Sequence, residues 1–119
     1  MKVIIAGPRD FEDYAEVVKA VEASGFEITE VVSGCARGVD KLGERWAHEH
    51  SIPVKQFPAH WTRYGKAAGQ LRNKEMAAYA EGLVALWNGA SKGPGGMIRI
   101  ASTTGLAFFV HGIEGYHPT

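Results

Sequence analysis

Cationic side chains in this chain cluster beside glycine-bearing turns. Arg9 follows Gly7-Pro8, Arg37 lies inside Ser33-Gly34-Cys35-Ala36-Arg37-Gly38, and Lys66 and Arg72 flank Gly69. A third turn of this kind runs from Asn88-Gly89 through Ser91 to Gly95-Gly96. Glycine lets backbone approach a ligand closely, and a helix that starts there turns N–H groups and its positive dipole end outward. These residue types serve anion binding, phosphate above all. The chain as a whole has 13 Lys+Arg against 13 Asp+Glu and a formal net charge of zero. That balance argues against a broad footprint for duplex nucleic acid or an anionic membrane. Anion binding must therefore be local.

Other groups have chemistry to offer, each with a plainer alternative. Asn73 falls on the same helical stripe as Met76, Ala77 and Ala80, so it is a polar residue on a buried line. It must find a partner, either a ligand or a neighbouring loop carbonyl. Asp40 can meet ribose hydroxyls or act as an acid/base, or it can cap its helix or pair with Arg37. Asp10 and Asp13 form a capping-box pattern with Asp in place of Glu. Glu75 is a second carboxylate of catalytic type, placed to act from a partner subunit. His48 and His50 are two apart on a helix, face different sides, and are expected to be solvated rather than metal-bound. No metal site and no cofactor are expected. Cys35 beside Arg37 and a helix start has the surroundings of a reactive thiol, yet also the size of a turn filler. Trp61 and Tyr64, among His60 and Lys66, can stack on a base, or pack over a sheet edge or a twofold interface. Lys92, on the loop after the fourth strand, is expected to stand outside the site.

These residues need a scaffold. Residues 2–6 read as a buried strand, 28–32 as a second, 54–57 as a third, 83–87 as a fourth and 106–110 as a fifth. Helices are expected from Asp10 as cap through Phe11, Tyr14, Val18 and Val21 to Gly25, then over 36–50, 69–80 and 97–104. Residues 60–68 read as irregular, and 88–96 as a Gly/Pro/Ser loop. Strands that are apolar throughout and alternate with helices imply a Rossmann-like, three-layer, doubly wound parallel sheet, order 3-2-1-4-5. In such sheets ligands lie beyond the carboxyl ends of the strands, at the switch point between neighbours. A length of 119 residues fits a single domain, 1–119. One cysteine allows no intrachain disulfide. No apolar run approaches a membrane span, and residues 1–7 are broken too soon for a signal peptide. A cytoplasmic setting follows as the expectation.

Four segments then carry a resemblance. Ala6-Gly7-Pro8-Arg9-Asp10-Phe11, Ser33-Gly34-Cys35-Ala36-Arg37-Gly38-Val39-Asp40, Gly69-Gln70-Leu71-Arg72-Asn73-Lys74-Glu75-Met76 and Trp87-Asn88-Gly89-Ala90-Ser91-Lys92-Gly93 with Met97-Ile98 resemble the YspA/YpsA-related branch of the SLOG superfamily. Relatives there include the Lonely Guy phosphoribohydrolases and the DNA-processing protein A core. The resemblance implies a Rossmannoid fold and recognition of nucleotides or their derivatives, ADP-ribose-like ones among them. The chain departs from the pattern at Pro8, where the branch often has Ser, at Cys35, where it often has Gly, and at Gly93-Pro94, where a Gly-Thr pair is usual. The Lonely Guy enzymes carry a catalytic Glu after their Gly-rich loop, whereas Gly95-Gly96-Met97-Ile98-Arg99-Ile100 holds no carboxylate.

The leading expectation is a binding module for a nucleotide-derived small molecule. Its contacts are Gly7, Arg9, Ser33, Gly34, Arg37 and Gly38 from the first two turns, then Arg72, Asn73, Asn88 and Ser91. The alternative is an N-glycosidic or phosphate hydrolase using Asp40 or Glu75, and the third reading is single-strand nucleic-acid binding. A small domain with Trp46, Trp61 and Trp87 to accommodate is expected to form a homodimer.

Overall fold

The computed structural model describes residues 1–113. Strand β1 is Lys2–Ala6, followed by helix α1 (Tyr14–Ser24), β2 (Glu30–Ser33), α2 (Val39–Glu49) and β3 (Val54–Gln56). A short helix α3 (Trp61–Tyr64) and a 3₁₀ turn (Gly65–Ala67) lead into α4 (Ala68–Tyr79). Then come β4 (Gly82–Trp87), α5 (Lys92–Thr104) and β5 (Ala107–Gly112). The five strands form one sheet in the order β3-β2-β1-β4-β5, every neighbouring pair parallel. This is the Rossmann-like α/β arrangement that the strand spacing predicts.

The sheet is apolar through its centre because helices cover both faces. Val3, Ile5, Val31, Val84 and Leu86 point to the layer of α1 and α2, where Val17, Val39 and Trp46 meet them. Ile4, Ala6, Val32, Leu83 and Ala85 point the other way, onto Met76, Ala77, Met97 and Ala101 of α4 and α5. In β4, residues 82 to 86 are all buried, so no polar alternation survives there. β5 is an edge strand and leaves Phe108 and Val110 exposed beside α5.

Three helix starts differ from the sequence expectation, and residues 61–67, read as irregular, hold α3 and the 3₁₀ turn. α2 opens at Val39 rather than at 36, because Gly38, with φ +78°, is its N-cap and ends the turn after β2. α1 begins at Tyr14, and its N-cap is Asp13 rather than Asp10: the Asp13 carboxylate accepts from the Glu16 N–H at 3.4 Å. Phe11 is pulled into the core before the helix begins, and its N–H reaches the Pro8 carbonyl at 3.5 Å. That contact ties the residues after β1 into a turn, which delays the helix. α5 begins at Lys92, so Gly93-Pro94-Gly95-Gly96 is helix rather than loop. With Ser91 as N-cap, Pro94 is the third helical residue, where no N–H is needed, and the residue before it lacks the Cβ that would clash with the ring. The Trp87 indole closes this end: its N–H donates to the Ser91 carbonyl at 2.9 Å, and Gly95 lies flat against its ring.

Candidate functional site

Parallel pairing puts the ends of β1, β2 and β4 on one edge of the sheet, so the turns beginning at Gly7, Gly34 and Asn88 share that edge. A cleft of about 440 Å³ opens between them, walled by Gly7, Arg9, Asp40, Arg72, Asn73 and Ser91, with Met76 and Met97 at its floor. A second cavity of about 370 Å³ adjoins it, walled by Gly34, Cys35, Arg37, Pro58, Ala59 and Trp61. Arg9, Ala36 and Arg72 line both cavities, so two guanidiniums from different parts of the chain stand on the border.

Arg72 is held by its neighbours. Its Nη1 donates to the Gly34 carbonyl, and its Nε donates to the Asn73 side-chain oxygen at 2.9 Å. Two of the five donors of the guanidinium are thereby used within the protein. Asn73 thus has a partner, the arginine beside it rather than a loop carbonyl. Arg9 is exposed and lies over the Trp61 ring, 5.7 Å from its centroid. Trp61 is 50% exposed and rests on Gly69 in the first turn of α4.

Asp40 is the one buried carboxylate among the described residues, 8% exposed, and it lines the larger cleft from the first turn of α2. It accepts from the Ala36 N–H at 3.2 Å, which closes the turn before its helix. Its cationic neighbour is Arg72, not Arg37: a Cβ at Gly34 would touch both Arg72 Nη1 and Asp40 Oδ2. Burial pushes the Asp40 carboxyl up to about 6. The Ala36 N–H and the Arg72 and Arg9 charges pull against burial, while Glu44 adds to it. A group poised there can hold or release a proton near neutrality.

The turn after β2 is filled by its own contacts. Ser33 is buried, donates to Glu44 Oε2 at 2.6 Å and accepts from the Cys35 N–H at 3.1 Å, so its hydroxyl lines neither cavity. Gly38 has φ +78°, and a Cβ there would overlap the carbonyl oxygens of Pro8 and Arg9. Cys35 has φ +63°, a left-handed conformation that glycine adopts without cost. The backbone thereby explains why the resemblance places a glycine at this position. Burial raises the Cys35 thiol, with the Glu44 carboxylate second, so these surroundings work against a thiolate.

The structure does not gather every residue singled out by its type. Arg37 lines only the smaller cavity. Gly38, Tyr64, Lys66, Glu75 and Asn88 line neither. Glu75 is exposed on α4, and Tyr64 stacks under Arg63 instead. Asn88 accepts from the Ala90 and Ser91 N–H groups, both at 2.9 Å, and so shapes the approach to α5. Lys92, expected outside the site, lines the larger cleft because α5 starts one residue after Ser91 and carries it to the rim. Pro94 and Met97 join the wall for the same reason; reading Ser91 as a helix cap would have found all three. Asp10 lines the cleft as well, from the turn after β1. His50 stacks on Trp46 at 4.5 Å, while His48 is exposed. Among the described residues no three His, Cys, Asp or Glu side chains could share a metal ion, and no helix is long and apolar enough to cross a membrane. Trp46 lies in the core, Trp87 under α5 and Trp61 on the smaller cavity. Trp46 and Trp87 are accommodated within one chain, whereas half of Trp61 is open to solvent.

The family model of the YspA, cpYpsA-related SLOG family matches residues 1–64. That span holds β1, β2, both of their turns and Trp61. The Gene 61 protein of Mycobacterium phage D29 is 33% identical over 115 residues, which cover 88% of this chain and 91% of that protein.

Proposed function

The chain belongs to the YspA, cpYpsA-related SLOG family, and from that premise we propose that it binds a nucleotide or nucleotide-derived anion in the cleft at the carboxyl edge of its sheet. Family membership points to nucleotide-related ligand binding or processing. The observation that carries the finer reading is the pair Arg9 and Arg72, which reach one cavity border from the turn after β1 and from α4. Lys92 and the start of the 13-residue helix α5 face the same cleft and add positive potential. A guanidinium gives phosphate directed, charge-assisted hydrogen bonds in a partly enclosed site.

Isothermal calorimetry against AMP, ADP-ribose and inorganic phosphate tests this reading. Removing Arg72 is expected to cost on the order of 1.5–3 kcal/mol, roughly 10- to 150-fold in affinity. Arg9→Ala checks the same point without touching the Arg72–Gly34 contact. Lys66→Ala is the control, since Lys66 is exposed and lines neither cavity. Equal affinities for all three variants would remove the physical support for an anion site.

A second reading, hydrolysis of the bound ligand, has one observation in its favour: Asp40, a buried carboxyl held near neutrality, lines the cleft. Steady release of base or phosphate, lost in Asp40→Asn, would establish it. Glu75, exposed and outside both cavities, has no part in that chemistry within one chain.

A further inference from the structure

Asp40 is at odds with its surroundings. It is 8% exposed, and its carboxylate shares the wall of the larger cleft with the Arg9 and Arg72 guanidiniums that would hold an anion there. A Cβ at Gly34 would lie 2.8 Å from Asp40 Oδ2 and 2.7 Å from Arg72 Nη1, so the two groups border one point. An anion on Arg72 therefore comes to rest beside a buried carboxylate. Two negative charges at that range in a partly enclosed site disfavour each other strongly. One proton shared between them removes the conflict, as it does in a carboxylate pair.

That proton has two sources. An oxyanion with an O–H, such as a phosphate, brings its own and donates it to the ionised Asp40. An oxyanion without one, such as sulfate, must meet Asp40 in its protonated form, whose O–H then donates to the anion; here the proton comes from solvent. Burial raises the Asp40 carboxyl to about 6, which keeps the protonated form within reach near neutrality. The groups that face Asp40 are Arg72 from α4, Arg9 from the β1 turn, Glu44 on its own helix and the Cys35 thiol before that helix. Asp10 and Lys92 line the same cleft. Glu44 is engaged by the Ser33 hydroxyl at 2.6 Å, and Asp10 is exposed to water, so Asp40 is the carboxyl placed to share the proton.

We propose that the cleft binds its anion with one proton held between the anion and Asp40, and that Asp40 thereby selects oxyanions that carry an O–H over those that lack one. This deepens the anion-binding reading above and rests on it. Asp40 is then a specificity-determining residue, and no bond of the ligand need break for it to act.

The test is calorimetry with inorganic phosphate and sodium sulfate between pH 7 and pH 9, at matched ionic strength and in two buffers of different ionisation enthalpy. Phosphate keeps a proton across that range, and sulfate has none to give. At pH 8 sulfate binding is expected to take up about one proton and phosphate binding about none. Sulfate affinity is expected to fall by up to about tenfold per pH unit, and phosphate affinity to stay within about threefold. Asp40→Asn puts an amide donor where the proton was needed. It should bind sulfate at least as tightly as the parent at pH 8, with no proton uptake and no slope. Asp10→Asn should strengthen both anions alike and keep the slope. If sulfate binds with a flat profile and no proton uptake, yet Arg72→Ala abolishes binding, the anion site stands and the shared proton is overturned. A slope that survives Asp40→Asn, or vanishes in Asp10→Asn, overturns it as well. Should Asp40→Asn fail to fold, the proton count per sulfate in the parent decides. If neither anion binds, both readings fall together.

Discussion

The turn after β2 and the turn after β4 draw on the same small vocabulary of Gly, Ser and Ala, yet they are built in opposite ways. The first is closed. Gly34 and Gly38 sit where a Cβ would strike Arg72 and Asp40, or the carbonyls of Pro8 and Arg9, and Ser33 turns inward to Glu44. The second is open on its outer side. A Cβ at Gly89, Gly93 or Gly96 would meet nothing within 4 Å, and residues from Lys92 onward are simply helix. A glycine-rich turn at a strand end is therefore not one kind of object. In the β2 turn glycine is a packing requirement that brings the β1 turn, Asp40 and Arg72 together. Around the α5 start it leaves one face bare, against the Trp87 ring at Gly95 and toward solvent elsewhere.

The contrast is tested most severely at Gly38. Its φ of +78° with ψ of −132° belongs to a region that side chains rarely enter, and its would-be Cβ overlaps backbone rather than a movable side chain. Gly38→Ala is expected to destabilise the fold by about 3 kcal/mol or more. Urea unfolding of the variant measures it. A loss below about 1 kcal/mol would mean that the β1 and β2 turns are not locked together as described.

The closed turn also confines a charge, and this gives a pH dependence. An unperturbed Asp titrates near 3.9, whereas Asp40 titrates at about 6 in the fold, chiefly through burial. A folded value above the unfolded one means that the group favours folding below about pH 4 and gives up that contribution as pH rises through 6. The loss is on the order of 2–3 kcal/mol by pH 8. Asp40→Asn keeps an acceptor for the Ala36 N–H and removes the titration. Its stability relative to the parent should therefore rise between pH 5 and pH 8, measured by urea unfolding at each. A constant difference would show that Arg72 holds Asp40 ionised throughout. The groups around it are Arg72 on α4, Glu44 on α2 and Arg9 on the β1 turn, and all three remain in both proteins.

How far the sequence reveals these features depends on how local their causes are. The parallel α/β class follows from apolar β-branched runs that alternate with helices, both readable along the chain, and the sheet has the expected order 3-2-1-4-5. Arg9 and Arg72 are legible as rim residues because each follows a strand end or opens a helix. The partnership of Arg72 with Gly34 and Asn73 is not, since it depends on how α4 lies against the β2 turn. Residues 93–96 read as loop because Gly and Pro weigh heavily in any local count. The first turn of a helix, however, makes no demand on the Pro N–H, and the Trp87–Ser91 contact that fixes this end comes from a strand that precedes it. Asp10 reads as a cap on pattern alone, while the burial of Phe11 hands the role to Asp13.

The smallest expected effect falls on the open side of the comparison. Gly96 is the fifth residue of α5, it lines neither cavity, and a Cβ there meets nothing within 4 Å. If the helix begins at Lys92, Gly96 lies inside it and only its conformational entropy opposes folding. Gly96→Ala should then stabilise the protein by about 0.5–1 kcal/mol, the difference between the two residues in a helix interior. Affinity for an anionic probe should not change, because the substituted atom faces away from the cleft walls. In a loop the same substitution would bring no helical gain, and at a left-handed position it would cost stability instead. A fall in the unfolding midpoint of Gly96→Ala would return residues 93–96 to a loop, removing Lys92 and Pro94 from the cleft wall and with them the positive helix end that faces the anion.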